Sequence, residues 1–176
     1  MPKNLPKFNQ ESYIHYITTK TFKNYPFFKN EKCCLILLEE LDFYRNKLGF
    51  KILGYVVMPD HFHCLIFWDV EKYKELTIGK IMQGVKGITS YRVAREIYSH
   101  RVGAAILPHL PRRSFWQKGF YDFNIYTFKK FKEKLNYIHN NPVRVNLCKN
   151  PQDYYWSSCN SLENNRGILK IDKIEI

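Results

Sequence analysis

His61 and His63 stand one residue apart in the run His61-Phe62-His63-Cys64-Leu65-Ile66-Phe67-Trp68. Side chains two apart on a strand project from the same face, so a strand here brings both imidazoles together. Leu65 and Phe67 continue that face, while Phe62, Cys64, Ile66 and Trp68 make the opposite one wholly apolar. Imidazole nitrogen is a common ligand of divalent metals, and two histidines plus one more side chain leave coordination positions open for a substrate. An isolated His-x-His is more often structural than metal-binding. Here the apolar strand around it and a suitably placed tyrosine tip the reading toward a metal site.

That tyrosine is Tyr137. The segment around it has an apolar stripe of Phe128, Phe131, Leu135 and Ile138, spaced as on one side of a helix. Tyr137 falls off the stripe and lines up with Lys130, Lys134 and Asn141, the last of these one turn along the same face. A phenol with a pKa near 10 is a poor nucleophile until its proton is removed or a cation stabilises the phenolate. A divalent metal held by His61, His63 and an oxygen ligand would polarise a phosphate for that attack. Asn141 is well placed to be the oxygen ligand, whereas His139 and Asn140 point elsewhere on the helix. Lys130 and Lys134 either steer a nucleic-acid strand or sit in solvent.

Several elements must position these groups. A first strand is expected at Tyr13–Thr19, and a helix from Glu31 to Leu48, stopped by Gly49. Lys51–Met58 and His61–Trp68, separated by Pro59-Asp60, read as adjacent central strands of an antiparallel sheet. A long helix follows from Leu76 to about Tyr98, with Ile81, Val85, Ile88 and Ile97 inward and Lys80, Lys86, Arg92 and Arg95 mainly on other faces. Ser99–Ser114 reads as a basic loop containing Arg101, Arg112 and Arg113. A last strand at about Phe115–Ile125 leads into a helix from Thr127 to Asn141, ended by Pro142. The order β-α-β-β-α-β plus one helix indicates an α+β, ferredoxin-like fold: an antiparallel sheet with helices packed on one face, and an added C-terminal helix carrying the tyrosine.

Bulk properties agree. The 176 residues suit one domain with a core at about 13–160, and 45% hydrophobic residues supply that core. Five cysteines without a Cys-x-x-Cys pair point to free thiols in a reducing compartment. No apolar run is long enough to span a membrane, and no signal peptide is evident, so a cytoplasmic, nucleoid-associated protein is expected. The net charge of +12 suits a polyanionic partner. Abundant aromatics beside it favour single-stranded nucleic acid, whose bases stack on rings. Lys86, Arg112, Arg113, Tyr121, Lys130 and Lys134 are the candidate contacts to DNA.

The motifs together resemble a known group. Gly54-Tyr55-Val56-Val57-Met58-Pro59-Asp60-His61-Phe62-His63, Phe115-Trp116-Gln117-Lys118-Gly119-Phe120-Tyr121-Asp122, Tyr137-Ile138-His139-Asn140-Asn141-Pro142-Val143 and Trp156-Ser157-Ser158 are similar to the REP-associated tyrosine transposases. These belong to the single-tyrosine HUH transposases, named for a histidine-hydrophobe-histidine motif. The resemblance spans about residues 13–160. It implies a Mg²⁺- or Mn²⁺-dependent enzyme that recognises a repetitive, palindrome-like DNA hairpin and cuts the adjacent single strand. A 5′-phosphotyrosine and a free 3′-OH result. By the same resemblance His61, His63 and Asn141 hold the metal and Tyr137 is the nucleophile, while Tyr121 has a structural or DNA-facing role. Phe123 departs from the pattern, since many members carry histidine there.

Three alternatives stand beside this reading. A non-catalytic single-stranded or hairpin nucleic-acid-binding module is one, and Lys118-Gly119-Phe120 opens like an RNA-recognition strand motif. Tyr121 and Asp122 break that motif. A degenerate transposase finds no support, because every expected catalytic residue is present. A replication initiator or relaxase fits the histidines but not the helix around Tyr137. A monomer and a homodimer are both compatible with the sequence.

Overall fold

The structure is a computed structural model, and it describes residues 13–99, 115–160 and 168–173. The elements are β1 (Ile14–Lys20), α1 (Glu31–Leu48), β2 (Lys51–Met58), β3 (His61–Phe67), α2 (Ile78–Ser99), β4 (Tyr121–Ile125) and α3 (Phe128–Arg144), with short 3₁₀ turns between. The strands form an antiparallel sheet in the order β2-β3-β1-β4. This is the expected α+β, ferredoxin-like arrangement with one additional helix.

Alternation along each strand creates two separate cores. Ile17, Ile52, Val57, Phe62, Cys64 and Ile66 pack with Leu37, Leu38 and Leu41 of α1 and Ile81, Met82, Val85 and Val93 of α2. On the other face Tyr16, Leu53, Val56, Met58, Leu65 and Ile125 meet Ile138, Leu135 and Phe131 of α3. α1 and α2 thus share one face, and α3 lies on the other together with Tyr154.

α1 runs over the expected residues. Asn30 caps its start by accepting from the Lys32 N–H, and Gly49 closes it at φ 77°. β1 lies one residue later than its expected range. In α2, Ile81 and Val85 are fully buried and Ile88 only partly so, with Thr89 and Val93 completing the inward face. The side chain of Ile97 and the loop carrying Arg101, Arg112 and Arg113 lie outside the described residues.

β3 ends one residue and α2 starts two residues inside the expected range, and three larger differences stand beside these. β2 is not central but lies at the sheet's edge, where Ser157 bridges Val56 and the Val57 N–H donates to Trp156 O. Its unbroken apolar run reflects helices on both faces, which periodicity cannot distinguish from a central position. The last strand covers only Tyr121–Ile125. Residues 115–120 instead form an irregular brace, with Trp116 bridged to Thr21 and Gly119 at φ 75°. Lastly, α3 runs through Pro142 to Arg144. Its true stop is Asn146, at φ 58°, with the Asn146 N–H donating to Val143 O and the Leu147 N–H to Pro142 O. This is a Schellman closure, with asparagine in the left-handed position more often held by glycine. The proline costs one backbone donor and does not unwind the last turn.

Gly54 sets how closely α3 approaches the sheet. A Cβ there would lie 2.6 Å from Leu135 Cδ1 and 3.2 Å from Ile138 Cδ1. Gly54→Val should therefore cost about 1–3 kcal/mol by overpacking, and Gly54→Ala less, since leucine tips can turn aside. Urea unfolding of the three proteins checks this. Equal stability of Gly54→Val and the parent would mean that α3 does not rest on β2 in this way.

Candidate active site

The alternation of β3 sends His61 and His63 to the α3 face, their ring centroids 4.8 Å apart. His63 is buried at 4% exposure, and every ring nitrogen has a partner. Nδ1 lies 2.8 Å from Thr18 Oγ1 and 3.0 Å from Tyr16 Oη. Nε2 lies 3.0 Å from Asn141 Nδ2. An amide nitrogen can only donate, so Nε2 accepts and Nδ1 carries the proton. Burial, then the nearby His61 and Lys134, lower the His63 pKa to about 3, which keeps the ring neutral.

His61 is only partly buried, and its Nδ1–H donates to Asp60 Oδ1 at 2.6 Å. Both imidazoles are therefore fixed through Nδ1, which leaves Nε2 as the nitrogen able to meet a cation. Histidine ligands commonly receive such outer support. Rotating the Asn141 amide would turn Oδ1 toward the same point as His63 Nε2. Two histidines and one amide oxygen fit a divalent ion that prefers nitrogen and oxygen donors and keeps open positions. Among the described residues no group of three or more His, Cys, Asp and Glu side chains gathers to hold a metal ion, so any ion here would need the amide or water.

Tyr137 lies on the same side of the sheet. Its ring is 5.8 Å from that of His63 and 6.4 Å from that of Tyr16, centroid to centroid, and the residue is 38% exposed. α3 reaches this position because Thr127 caps its start, accepting from the Lys130 N–H, and because Ile138 is buried against the sheet. Phe128, the first member of the expected stripe, is exposed, with Lys132 Nζ 4.4 Å over its ring. Arg144 lies over the Tyr137 ring at 5.2 Å, and Lys134 Nζ is 5.8 Å from the same ring.

The remaining candidates separate. Tyr121 is exposed, with its ring 6.2 Å from Tyr16. Lys130 is paired with Glu133 on the surface. The Lys86 ammonium is half-buried, donates to the carbonyls of Gln117 and Gly119, and is lowered by burial to about 8. Its geometry is that of a brace for the segment ahead of β4. Phe123 packs at the edge of the α3-side core.

Sequence reasoning missed Tyr16, Thr18 and Asp60. Burial is the main cause that raises the Tyr16 phenol to about 12, so it stays protonated as a partner of His63. Thr18 is directly opposite His63 in the β1–β3 register. Only that pairing reveals it, although Asp60 beside His61 was visible locally.

The Trp156-Ser157-Ser158 motif has a structural task. Ser158 Oγ donates to Tyr55 O and accepts from the Tyr55 N–H and from His139 Nε2, the last at 2.8 Å. It ties β2 to α3 at His139, two residues along from Tyr137. Burial lowers the His139 pKa to about 4, whereas an unfolded histidine titrates near 6.5. The unfolded chain therefore binds the extra proton first, and this contribution to stability is lost as pH falls from about 6.5 toward 4. His139→Gln should flatten the decline in urea midpoint between pH 7 and pH 5. An unchanged slope would contradict a neutral, buried His139.

A ferredoxin-like sheet that presents a histidine pair to a tyrosine on an added helix defines the HUH class of single-tyrosine proteins. The IS200-like transposase family model matches residues 9–141, and the chain belongs to that family. It is 25% identical over 124 residues to the REP-associated tyrosine transposase of Escherichia coli (strain K12), covering 70% of this chain. The matched region spans 62% of that relative's length. The fold matches a REP-associated tyrosine transposase solved bound to a REP hairpin, with TM-score 0.73, 16% identity, and coverage of 99% of this chain and 93% of that one. A structure from Deinococcus radiodurans R1, of a protein provisionally assigned as a transposase, matches at TM-score 0.51 and 17% identity, over 80% of this chain and 97% of that one.

Proposed function

We propose that this chain is a metal-dependent single-strand DNA endonuclease and transposase that cleaves and rejoins DNA beside a hairpin, through a 5′-phosphotyrosine on Tyr137. The observation that carries the reading is the convergence of Tyr137, His61, His63 and Asn141 on one face, with the Tyr137 ring 5.8 Å from His63. Membership of the IS200-like family supports it, and so does the likeness to a transposase that binds a REP hairpin.

His61, His63 and Asn141 would hold Mg²⁺ or Mn²⁺, which when bound supplies polarisation of the scissile phosphate. Tyr16, Thr18 and Asp60 orient the two imidazoles. Tyr137 attacks phosphorus as the bond to the 3′-oxygen breaks. The phenol proton passes to solvent, and the 3′-oxygen takes one up. Asn141, one turn along α3, keeps the helix in register with His63. The partner is single-stranded DNA carrying a repetitive, palindrome-like hairpin, engaged by a monomer or homodimer of single-domain chains.

The test is incubation with hairpin-bearing single-stranded oligonucleotides, with and without Mg²⁺ or Mn²⁺, followed by denaturing electrophoresis. A metal-dependent covalent adduct is expected, along with binding that weakens steeply with salt, since phosphate neutralisation supplies much of the affinity. Binding with no adduct on any hairpin would favour the binding module. Equal affinity for a blunt duplex would count against the partner.

A further inference from the structure

Among the lysines of α3, Lys134 is set apart by its surroundings. Its Nζ lies 4.7 Å from the Tyr16 ring, 5.3 Å from Phe123 and 5.8 Å from Tyr137. Lys130 is instead neutralised by Glu133, and Lys132 rests on the outward ring of Phe128. No carboxylate among the described residues lies within ion-pair distance of Lys134. Its position three residues before Tyr137 puts both side chains on one face of the helix. Arg144 also lies over the Tyr137 ring, but it is exposed at the last residue of α3, whereas Lys134 is half-buried toward His63.

A cation held among three rings, partly out of water, acts on nearby charge with less screening than a surface lysine does. The site needs such a charge at one moment in particular. When the strand is rejoined, a 3′-hydroxyl oxygen bonds to phosphorus and gives its proton to water. The P–Oη bond breaks, and its electron pair leaves on the Tyr137 oxygen.

We propose that Lys134 is a further catalytic residue, whose ammonium lies between Tyr137 and the scissile phosphate, contacts that phosphate, and neutralises the phenolate that leaves on rejoining. The inference rests on the nucleophile assigned above, and it goes beyond steering of DNA by a basic surface.

The test uses the full chain as parent, Lys134→Met, Lys134→Arg and, as control, Lys47→Met on the exposed side of α1. Covalent adduct is isolated, a strand with a 3′-hydroxyl is added with Mg²⁺, and single-turnover rejoining is timed. Lys134→Met should slow rejoining on the order of 100- to 1000-fold, the usual loss for one oxyanion donor. Lys134→Arg should restore most of it, and Lys47→Met should match the parent. If 3,5-difluorotyrosine replaces Tyr137, its more acidic phenol should rescue Lys134→Met by a larger factor than it speeds the parent. A second readout needs no metal. In EDTA, the salt dependence of single-strand binding should fall by about 0.7 in log–log slope, one phosphate's share.

Rejoining by Lys134→Met at the parental rate overturns the proposal. So does an unchanged salt slope, or equal acceleration of both proteins by the fluorinated phenol. Failure of the underlying reading looks different: the parent itself would form no adduct, or Tyr137→Phe would still form one.

Discussion

Tyr137→Phe should abolish the covalent DNA adduct and strand cleavage while DNA binding persists. The substitution removes one hydroxyl from a ring that is 38% exposed and packs edge-on to Tyr16 and His63, so the fold loses little. A missing nucleophile cannot be replaced by a neighbouring ring, and loss of more than about a thousandfold in cleavage is expected. Two other phenols are close enough to serve as internal controls. Tyr16 is buried and hydrogen-bonded to His63, with its phenol held protonated. Tyr121→Phe should leave the adduct intact. Cleavage by Tyr137→Phe, or loss of the adduct in Tyr121→Phe, would assign the chemistry to another tyrosine.

His61→Ala should give the second large effect, and it would separate metal binding from folding. His61 is partly exposed, hydrogen-bonded to Asp60 and edge-on to the His63 ring, so its removal should change stability by no more than about 0.5 kcal/mol. Mn²⁺ affinity, followed by titration calorimetry, should fall by more than the roughly 10- to 100-fold that loss of an outer partner costs. Asp60→Ala should fall within that smaller range. His63→Ala should lose both properties, because it strands the buried Tyr16 and Asn141 groups at about 1–3 kcal/mol each, and the half-buried Thr18 hydroxyl at less. Unaltered Mn²⁺ binding in His61→Ala would remove His61 from the ligand set.

What could be read from sequence follows the range of the interactions concerned. α1, β3 and the position of Tyr137 off the apolar stripe follow from local periodicity, and each lies where that periodicity puts it. The brace at 115–120 depends on the Lys86 ammonium reaching carbonyls some thirty residues away, and no local pattern announces that. The edge position of β2 follows from the pairing of β1 with both β3 and β4, and Ser157 returns a hundred residues later to cover that edge. α3 ends past Pro142 because the left-handed Asn146, rather than the proline, closes its last turn. Within the site, the ring-bearing and metal-binding candidates were legible by residue type. Tyr16 and Thr18 were not, because only the β1–β3 register brings them to His63.

The strict in-and-out alternation of β3 makes this stretch intolerant of changes in length. One residue inserted between Phe62 and Ile66 would rotate everything beyond it by half a turn. Depending on which end stayed anchored, it would send His61 and His63 into the α1–α2 core or swing Leu65 and Phe67 away from α3. Conservative substitutions at Cys64 or Ile66 change only packing on the far face. An insertion beside the exposed Lys149, in the connection after α3, alters neither face. Comparative sequences and insertion scanning should therefore show β3 drifting in residue type while holding its length, with gaps collecting in the connections that follow α3.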